Sequence, residues 1–418
     1  MKVAVIGAGL IGTTTAYFLR RRGHEVIVVD RHEGPGRETS FANAALITPG
    51  MSEPWNAPGS SRVLLASIIR SDSPLQLRLK ALPSLAGWGI RFLINSRAAA
   101  FERNTLKNLD LALYSVGVLK SLRQETGIDY PHEAPGTLKL FRDQESLGRA
   151  AAWADRLSHH GLAAQKLSRS EVVALEPALA PIAESLTGAI HYWKDETGDA
   201  YRFCTALAGH ARESGVEFRF STEVSSIRAR ARKVTAEVSA RELIDADCYV
   251  IAACSYAPQL LRTTGVHLPV RPAKGYSVTF NRTPGEPALR IPISDEDLHA
   301  AVTPIGDSIR VAGTAEFTGY DLTLTAARVE NLIQLIRKIL PQGHYDPASA
   351  RPWCGLRAMS ADGVPLIGRT RLPNLFVNTG HGHLGWTMAA GSAQLLTDLI
   401  CGTSPSVDPA PYDPRRFA

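Results

Sequence analysis

Apolar positions open the chain in a strand-like run at residues 3–6. They break at a segment holding Gly7, Gly9 and Gly12, then resume with helical spacing over residues 13–22. Gly23 ends that segment, and residues 25–30 form a second apolar run that closes on Asp30. The order predicts strand, glycine turn, helix and strand. Residues 31–58 are rich in Gly, Pro, Ser and Asn, which predicts a long ordered loop. Residues 63–124 are mostly helical in pattern, with Leu106, Leu109, Leu113, Val116 and Leu119 at apolar positions.

Farther along, the pattern predicts a strand at 136–141 and a helix at 146–159 ended by Gly161. A helix at 201–214, capped by Gly215, leads into a strand at 216–220, a ribbon from 223–228 and 234–239, and a buried strand at 248–253. Runs at 270–280, 299–304 and 308–313 fit an antiparallel sheet. A helix at 328–340, a strand at 374–378 and a closing helix at 386–400 complete the chain. At 418 residues the chain exceeds one ordinary core, so two interlocked domains are expected. The fold class is α/β and α+β: a Rossmann-like dinucleotide-binding domain interleaved with a mixed or antiparallel-sheet substrate-binding domain. Residues 1–60, 165–260 and 350–418 are assigned to the first, and 61–164 and 261–349 to the second.

Composition narrows the class. Hydrophobic content of 44% with 21% charged residues is that of a soluble globular protein. No run reaches the ~18–20 apolar residues that a membrane-spanning helix needs. Lys2 precedes an apolar run, but that run contains three glycines and leads into Arg20, Arg21 and Arg22, so a signal peptide is not expected. Cys204, Cys248, Cys254, Cys354 and Cys401 are scattered and odd in number, which fits reduced thiols in a cytoplasmic protein. The net charge of +6 is spread along the chain without a nucleic-acid-binding motif, so no nucleic-acid partner is expected.

The glycine turn carries the first chemistry. Gly7 permits a tight turn, Gly9 lets backbone amides approach a pyrophosphate, and Gly12 lets the helix pack close to the strand. The helix N-terminus offers unpaired N–H donors and a positive dipole end, and Asp30 stands where a ribose diol is accepted. This stretch predicts a dinucleotide but leaves NAD(P) and FAD open. The C-terminal quarter adds Gly380, His381, Gly382, His383, Leu384, Gly385 and Trp386 at the start of the last predicted helix. Bare glycine backbone there admits a flat ligand, and the helix start favours charge developing on a reduced isoalloxazine. Nicotinamide, neutral on reduction, would gain little.

These motifs recur with others in the same order: residues 38–44, 49–50, 54–55, 57–59, 136–141, 176–179, 195–199, 274–277, 310–316, 355–357 and 362–363. Together they resemble the D-amino acid oxidase superfamily of flavoproteins, and within it the bacterial D-amino acid dehydrogenase family. The resemblance implies a D-amino acid oxidase-like fold and FAD as cofactor. It implies that Gly7, Gly9, Leu10, Ile11, Gly12, Asp30 and Arg31 hold the ADP end, with the Val224 main chain near the adenine. Thr39, Ser40, Asn43 and Ala44 would follow the pyrophosphate and flavin, and the segment 380–386 would lie by the flavin's pyrimidine edge.

For the substrate, the resemblance implies that Arg357 forks onto a carboxylate, a contact for which a planar guanidinium is suited. Tyr276 is a candidate to add a hydroxyl to that carboxylate or close the pocket, and His299 to line it. His381 and His383 resemble a metal pair, but without a third ligand they are assigned to flavin-edge contacts or loop packing, and no metal is expected. Cys254 and Cys354 read as buried apolar residues. Ala45-Leu46, Ala358 and Ala253-Cys254 depart from the family's usual wording, which bears on substrate range.

The implied activity is oxidative deamination of D-amino acids, with electrons passed to a quinone or another non-oxygen acceptor. Alternatives are a dehydrogenase of D-hydroxyproline or another secondary amine, an oxidase using O₂, and a non-catalytic flavin-bound subunit. Residues 62–97 mix apolar side chains with arginines. They read either as packing within the helical part or as peripheral contact with the inner face of the bacterial plasma membrane.

Overall fold

The computed structural model describes residues 1–60, 75–77, 82–230, 233–238, 242–282 and 289–417. One sheet has six strands, in the order Glu217–Arg219, Glu25–Val29, Lys2–Ile6, Cys248–Ile251, Leu375–Thr379 and Leu366–Arg369. Its neighbours run parallel except for the last pair. The apolar runs read from the sequence are strands buried on both faces. Val3 and Val5 pack with Ala16, Leu19, Leu395 and Leu396 on the helical side. Ala4 and Ile6 pack with Val224, Ile227 and Val234 of a three-stranded sheet on the other side.

The larger sheet runs Arg351–Ser360, Val270–Asn281, Ser308–Phe317, Ala300–Ile305, Ile293–Asp295, Thr137–Phe141, Gly188–Tyr192 and Gln165–Ser168. The short strand Leu75–Leu77 joins it beside Ser308–Phe317. Helix Ala326–Ile339 covers one face, with Leu332, Ile333 and Ile336 among Val278, Phe280 and Val311.

Two sequence boundaries do not coincide with this division. Gln165–Ser168, Gly188–Tyr192 and Arg351–Ser360 pair within the large sheet, although segments 165–260 and 350–418 were assigned to the nucleotide unit. Conversely, helix Ala98–Thr126 lies against the closing helix Ala389–Cys401: Gly391 N–H donates to Ser115 Oγ at 2.9 Å. A Cβ on Gly391 would lie 2.8 Å from the Ser115 Cα, so this crossing requires glycine.

Within the candidate membrane segment, residues 62–74 and 78–81 lie outside the described residues. Helix Leu82–Ile94 buries Leu85, Trp88 and Phe92 against Ala273, Phe317 and Met359, and exposes Ile90, Leu93 and Ile94. No helix among the described residues is long and apolar enough to cross a membrane.

Candidate active site

The first turn is built as its glycines require. Gly7 has φ +109°, and a Cβ there would lie 2.7 Å from the Ala252 carbonyl oxygen. A Cβ on Gly12 would lie 1.8 Å from the Gly7 carbonyl oxygen, so helix Leu10–Arg21 sits directly on the strand end. Gly9 caps that helix with no side-chain hydrogen bond. Leu10 N–H donates to Ser40 Oγ at 3.1 Å. Asp30 accepts Ala8 N–H at 2.7 Å and His32 N–H at 2.9 Å, one on each oxygen, so each oxygen keeps a free lone pair. Arg31 pairs with Glu38 and lies 4.2 Å over the Tyr256 ring. Burial works against the Glu38 charge, but hydrogen bonds from His32 and Arg31 outweigh it and lower its carboxyl below the usual range.

The loop that follows is pinned by the larger sheet. Ser277 Oγ donates to the Ala42 carbonyl (2.6 Å), Arg310 Nη1 to Asn43 (2.8 Å) and Thr303 Oγ1 to Ala44 (2.8 Å). Asn43 Oδ1 accepts Ala45 N–H at 2.9 Å, and Ala45 adopts φ +58°. Thr39 Oγ1 donates to the Leu356 carbonyl at 2.9 Å, which ties the loop to the strand carrying Arg357. Three successive carbonyls are thus held from one side.

A cavity of about 1050 Å³ runs from Gly9, Asp30 and Val224 past Ser40 and Asn43 to His299 and Arg357. Leu10, Ile11, Arg31, Thr39, Ala44, His381, Gly382, His383, Gly385 and Trp386 also line it. Gly12, Gly380 and Leu384 do not. Gly12 packs on Gly7, Gly380 turns at φ +82° beside Leu366, and Leu384 is buried in the helical core. The segment 380–386 forms a 3-10 turn at Gly382–Leu384, and the α-helix begins only at Ala389, later than its sequence pattern predicts.

At the far end Arg357 stands on the cavity wall, its Nη1 buried without a hydrogen-bond partner. Among the described residues no carboxylate pairs with it. Desolvation pulls its guanidinium below the usual value to about 10, which leaves it charged at neutral pH. Tyr276 also lines the cavity, but its hydroxyl is committed to a partner other than Arg357. Its ring packs in the core of the large sheet, and its hydroxyl donates to Glu316 Oε2 at 2.9 Å. Glu316 also holds Arg328 (3.0 Å) and Lys274 (3.4 Å), so the Tyr276 hydroxyl belongs to a buried ionic cluster and no hydrogen bond joins it to Arg357. His299 does line the cavity, exposed and at φ +49°.

The family model described as FAD dependent oxidoreductase matches residues 2–399. The chain belongs to this family. It is 42% identical over 408 residues to a D-amino acid dehydrogenase of Methylobacterium nodulans, covering 97% of each chain. It is equally identical over 418 residues to one of Granulibacter bethesdensis, covering 100% of each. Among solved structures, glycine oxidase from Geobacillus kaustophilus has a TM-score of 0.77 at 23% identity, covering 98% of this chain and 97% of that one. L-Proline dehydrogenase from P. horikoshii also reaches 0.77, at 20% identity over 100% and 97%. These likenesses establish the fold of an FAD dependent oxidoreductase.

The residues fit the cofactor that names the family. A turn in which Gly7 and Gly12 admit no Cβ leads to a helix start capped by Gly9 without a side chain, and Gly7, Gly9 and the Asp30 carboxylate all line one cavity. The two histidines expected near the flavin edge are committed to neutral hydrogen bonds. His381 Nε2 meets Ser392 Oγ at 2.9 Å, and His383 Nε2 meets the Met51 carbonyl at 3.0 Å. Burial lowers His381 to about 3. Burial, with Arg357 and Lys139 adding, lowers His383 to about 4.

His381 sets a stability prediction. Because its folded value lies below the ordinary 6.5, the unfolded chain binds a proton that the folded chain refuses. Its contribution is constant above pH 6.5 and is lost as pH falls from 6.5 toward 3, at up to about 1.4 kcal/mol per pH unit. His381→Gln, which can still hydrogen-bond Ser392, is expected to flatten unfolding free energy against pH between 6.5 and 4. Parallel curves for the two proteins would remove His381 as the source.

Sequence reasoning missed Glu38, Trp55 and Trp353 as parts of this site. A signal for Trp353 was present: Trp353, Gly355 and Arg357 alternate at i, i+2 and i+4, so a strand places all three on one face.

Proposed function

We propose that this chain is an FAD-dependent D-amino acid dehydrogenase, with Arg357 binding the substrate carboxylate. The observation that carries the reading is a charged arginine with no carboxylate partner among the described residues, in the cavity that also opens on the dinucleotide turn. The names of the relatives at 42% identity over essentially whole chains support the D-amino acid assignment.

Asp30 would accept ribose hydroxyls, and the first-turn amide of Ile11 would meet the phosphates. The segment 39–45, held by Ser277, Arg310 and Thr303, would flank the flavin, and His381 and His383 its edge. FAD, when bound, supplies the two-electron acceptor that takes hydride from Cα. Arg357 fixes the carboxylate, so that only rotation about one axis remains to be set by the pocket. His383, neutral and donating to Met51, adds no second cation near Arg357. The amine must shed its proton to solvent before Cα is oxidised, and no side chain is assigned as general base. The resulting imine hydrolyses to a 2-oxo acid and ammonium.

The electron acceptor is read as a quinone or another non-oxygen carrier. Ile90, Leu93 and Ile94, exposed beside Arg91 and Arg97, support peripheral contact with an anionic membrane face.

An anaerobic panel of D- and L-amino acids, including proline derivatives, tests the reading by flavin absorbance. Bleaching by primary D-amino acids is expected. Bleaching by secondary amines alone, or by none of the panel, would replace the proposal with a secondary-amine enzyme or a non-catalytic flavoprotein. Peroxide formed at the turnover rate in air would make it an oxidase. Complete recovery of activity in a low-salt supernatant, with none on membranes, would remove the membrane contact.

A further inference from the structure

Arg357 is held in place without being neutralised. Gly275 and Gly355 face each other across two paired strands. The Arg357 guanidinium occupies the space over Gly275, where a Cβ would lie 2.0 Å from Nη1. The Trp353 ring occupies the space over Gly355, where a Cβ would lie 2.1 Å from Cη2. A second indole covers the guanidinium: Arg357 Cζ lies 5.4 Å from the Trp55 ring centroid. Trp55 is itself stacked on His383, with centroids 5.8 Å apart and planes 19° apart.

The loop that carries Trp55 is tied down at several points. His383 is anchored by its hydrogen bond to the Met51 carbonyl, on the same loop as Trp55. Asn108 Nδ2 holds the Ser52 carbonyl at 3.1 Å, and Pro54 packs where a Cβ on Gly363 would lie 2.2 Å away. The Thr48 hydroxyl donates to Asp195, which also accepts Gly50 N–H at 3.3 Å.

We propose that Trp55 is a positioning residue: its indole, braced by His383, holds the Arg357 guanidinium over the Gly275 backbone so that it meets a substrate carboxylate uncompensated. This rests on the carboxylate-binding reading of Arg357. An aromatic face attracts a cation without supplying a countercharge, so the whole charge stays available to the ligand. A carboxylate in the place of Trp55 would orient Arg357 equally well and compete with every substrate. The arrangement matches what a carboxylate-binding site needs, a cation ordered before the ligand arrives.

The test compares Trp55→Leu, Trp55→Phe and Arg357→Ala in the FAD-loaded protein. Steady-state kinetics with a bleaching amino acid are read beside acetate binding, followed by its perturbation of flavin absorbance. Trp55→Leu is expected to raise KM and the acetate Kd about tenfold, with kcat changed less than about threefold. Trp55→Phe, which keeps an aromatic face, is expected to restore both to within about threefold. Normal KM and acetate binding in Trp55→Leu, with both impaired in Arg357→Ala, would overturn the positioning role and leave the Arg357 reading intact. Loss of bound FAD or of kcat in Trp55→Leu at unchanged KM would show a general packing role and also overturn it. Normal kinetics in Arg357→Ala would remove the reading on which it stands.

Discussion

Arg357→Ala is expected to raise KM for the amino acid by about 10- to 150-fold while bound FAD stays at the wild-type level. The magnitude follows from losing a charge-assisted contact, where hydrogen bonds to charged groups contribute about 1.5–3 kcal/mol and each 1.4 kcal/mol is tenfold. The cofactor is spared because the wall that holds Arg357 is separate from the Gly7–Gly12 turn. Arg357→Lys is expected to recover only part of the loss, since an ammonium lacks the planar fork. Gly275→Ala offers an independent check that keeps the charge. Its Cβ would sit 2.0 Å from Nη1, so the guanidinium must leave its place while the strand, which needs no positive φ at residue 275, persists. KM rising in both variants ties binding to the location of the charge. Near-normal KM in Arg357→Ala would sink the assignment outright.

The sequence showed most where local chemistry and tertiary structure agree. The apolar runs at 3–6, 25–30 and 248–253 are central strands because they are buried on both faces, and such strands need no alternation to be recognised. It showed least where strands are short and polar. Gln165–Ser168 and Ile293–Asp295 span four and three residues, and the second is joined on one side to Thr137–Phe141, far from it in the chain. Arg351–Ser360 holds a proline, a glycine and no β-branched residue, yet it forms an edge of the large sheet.

The same limit governs the site. Arg357 was legible as a residue type in a motif, and the structure adds that no carboxylate among the described residues neutralises it. Tyr276 was legible only as a neighbour in sequence. Its face was not, because Gly275 and Tyr276 flank a register shift against Ser308–Phe317. One such shift decides which side of a sheet a hydroxyl reaches, and here it reaches Glu316. Trp55 is near Arg357 only because residues 46–58 and the strand Arg351–Ser360 converge, a contact that spans some three hundred positions and leaves no local trace.

Gly12→Ala is expected to weaken FAD binding from several-fold to about a hundredfold and to lower the thermal midpoint, although residue 12 does not line the cavity. Its Cβ would meet the Gly7 carbonyl oxygen at 1.8 Å, a backbone atom fixed by the strand Lys2–Ile6 and by Gly7 N–H bonding to Val29. The helix must therefore retreat from the strand, and overpacking of this kind costs about 1–3 kcal/mol. The retreat carries the Ile11 amide away from the place where the pyrophosphate would sit, so strain and lost contacts act together. Gly23→Ala supplies the contrast at the other end of the same helix. It introduces a side chain at φ +83° with nothing within 4 Å, so it strains the turn without displacing the helix start. Flavin retention after gel filtration, with a titration of apoprotein by FAD, separates the two. Equal loss of flavin in both variants would mean that helix stability governs cofactor binding. Loss confined to Gly12→Ala would locate the effect in the close approach of helix and strand.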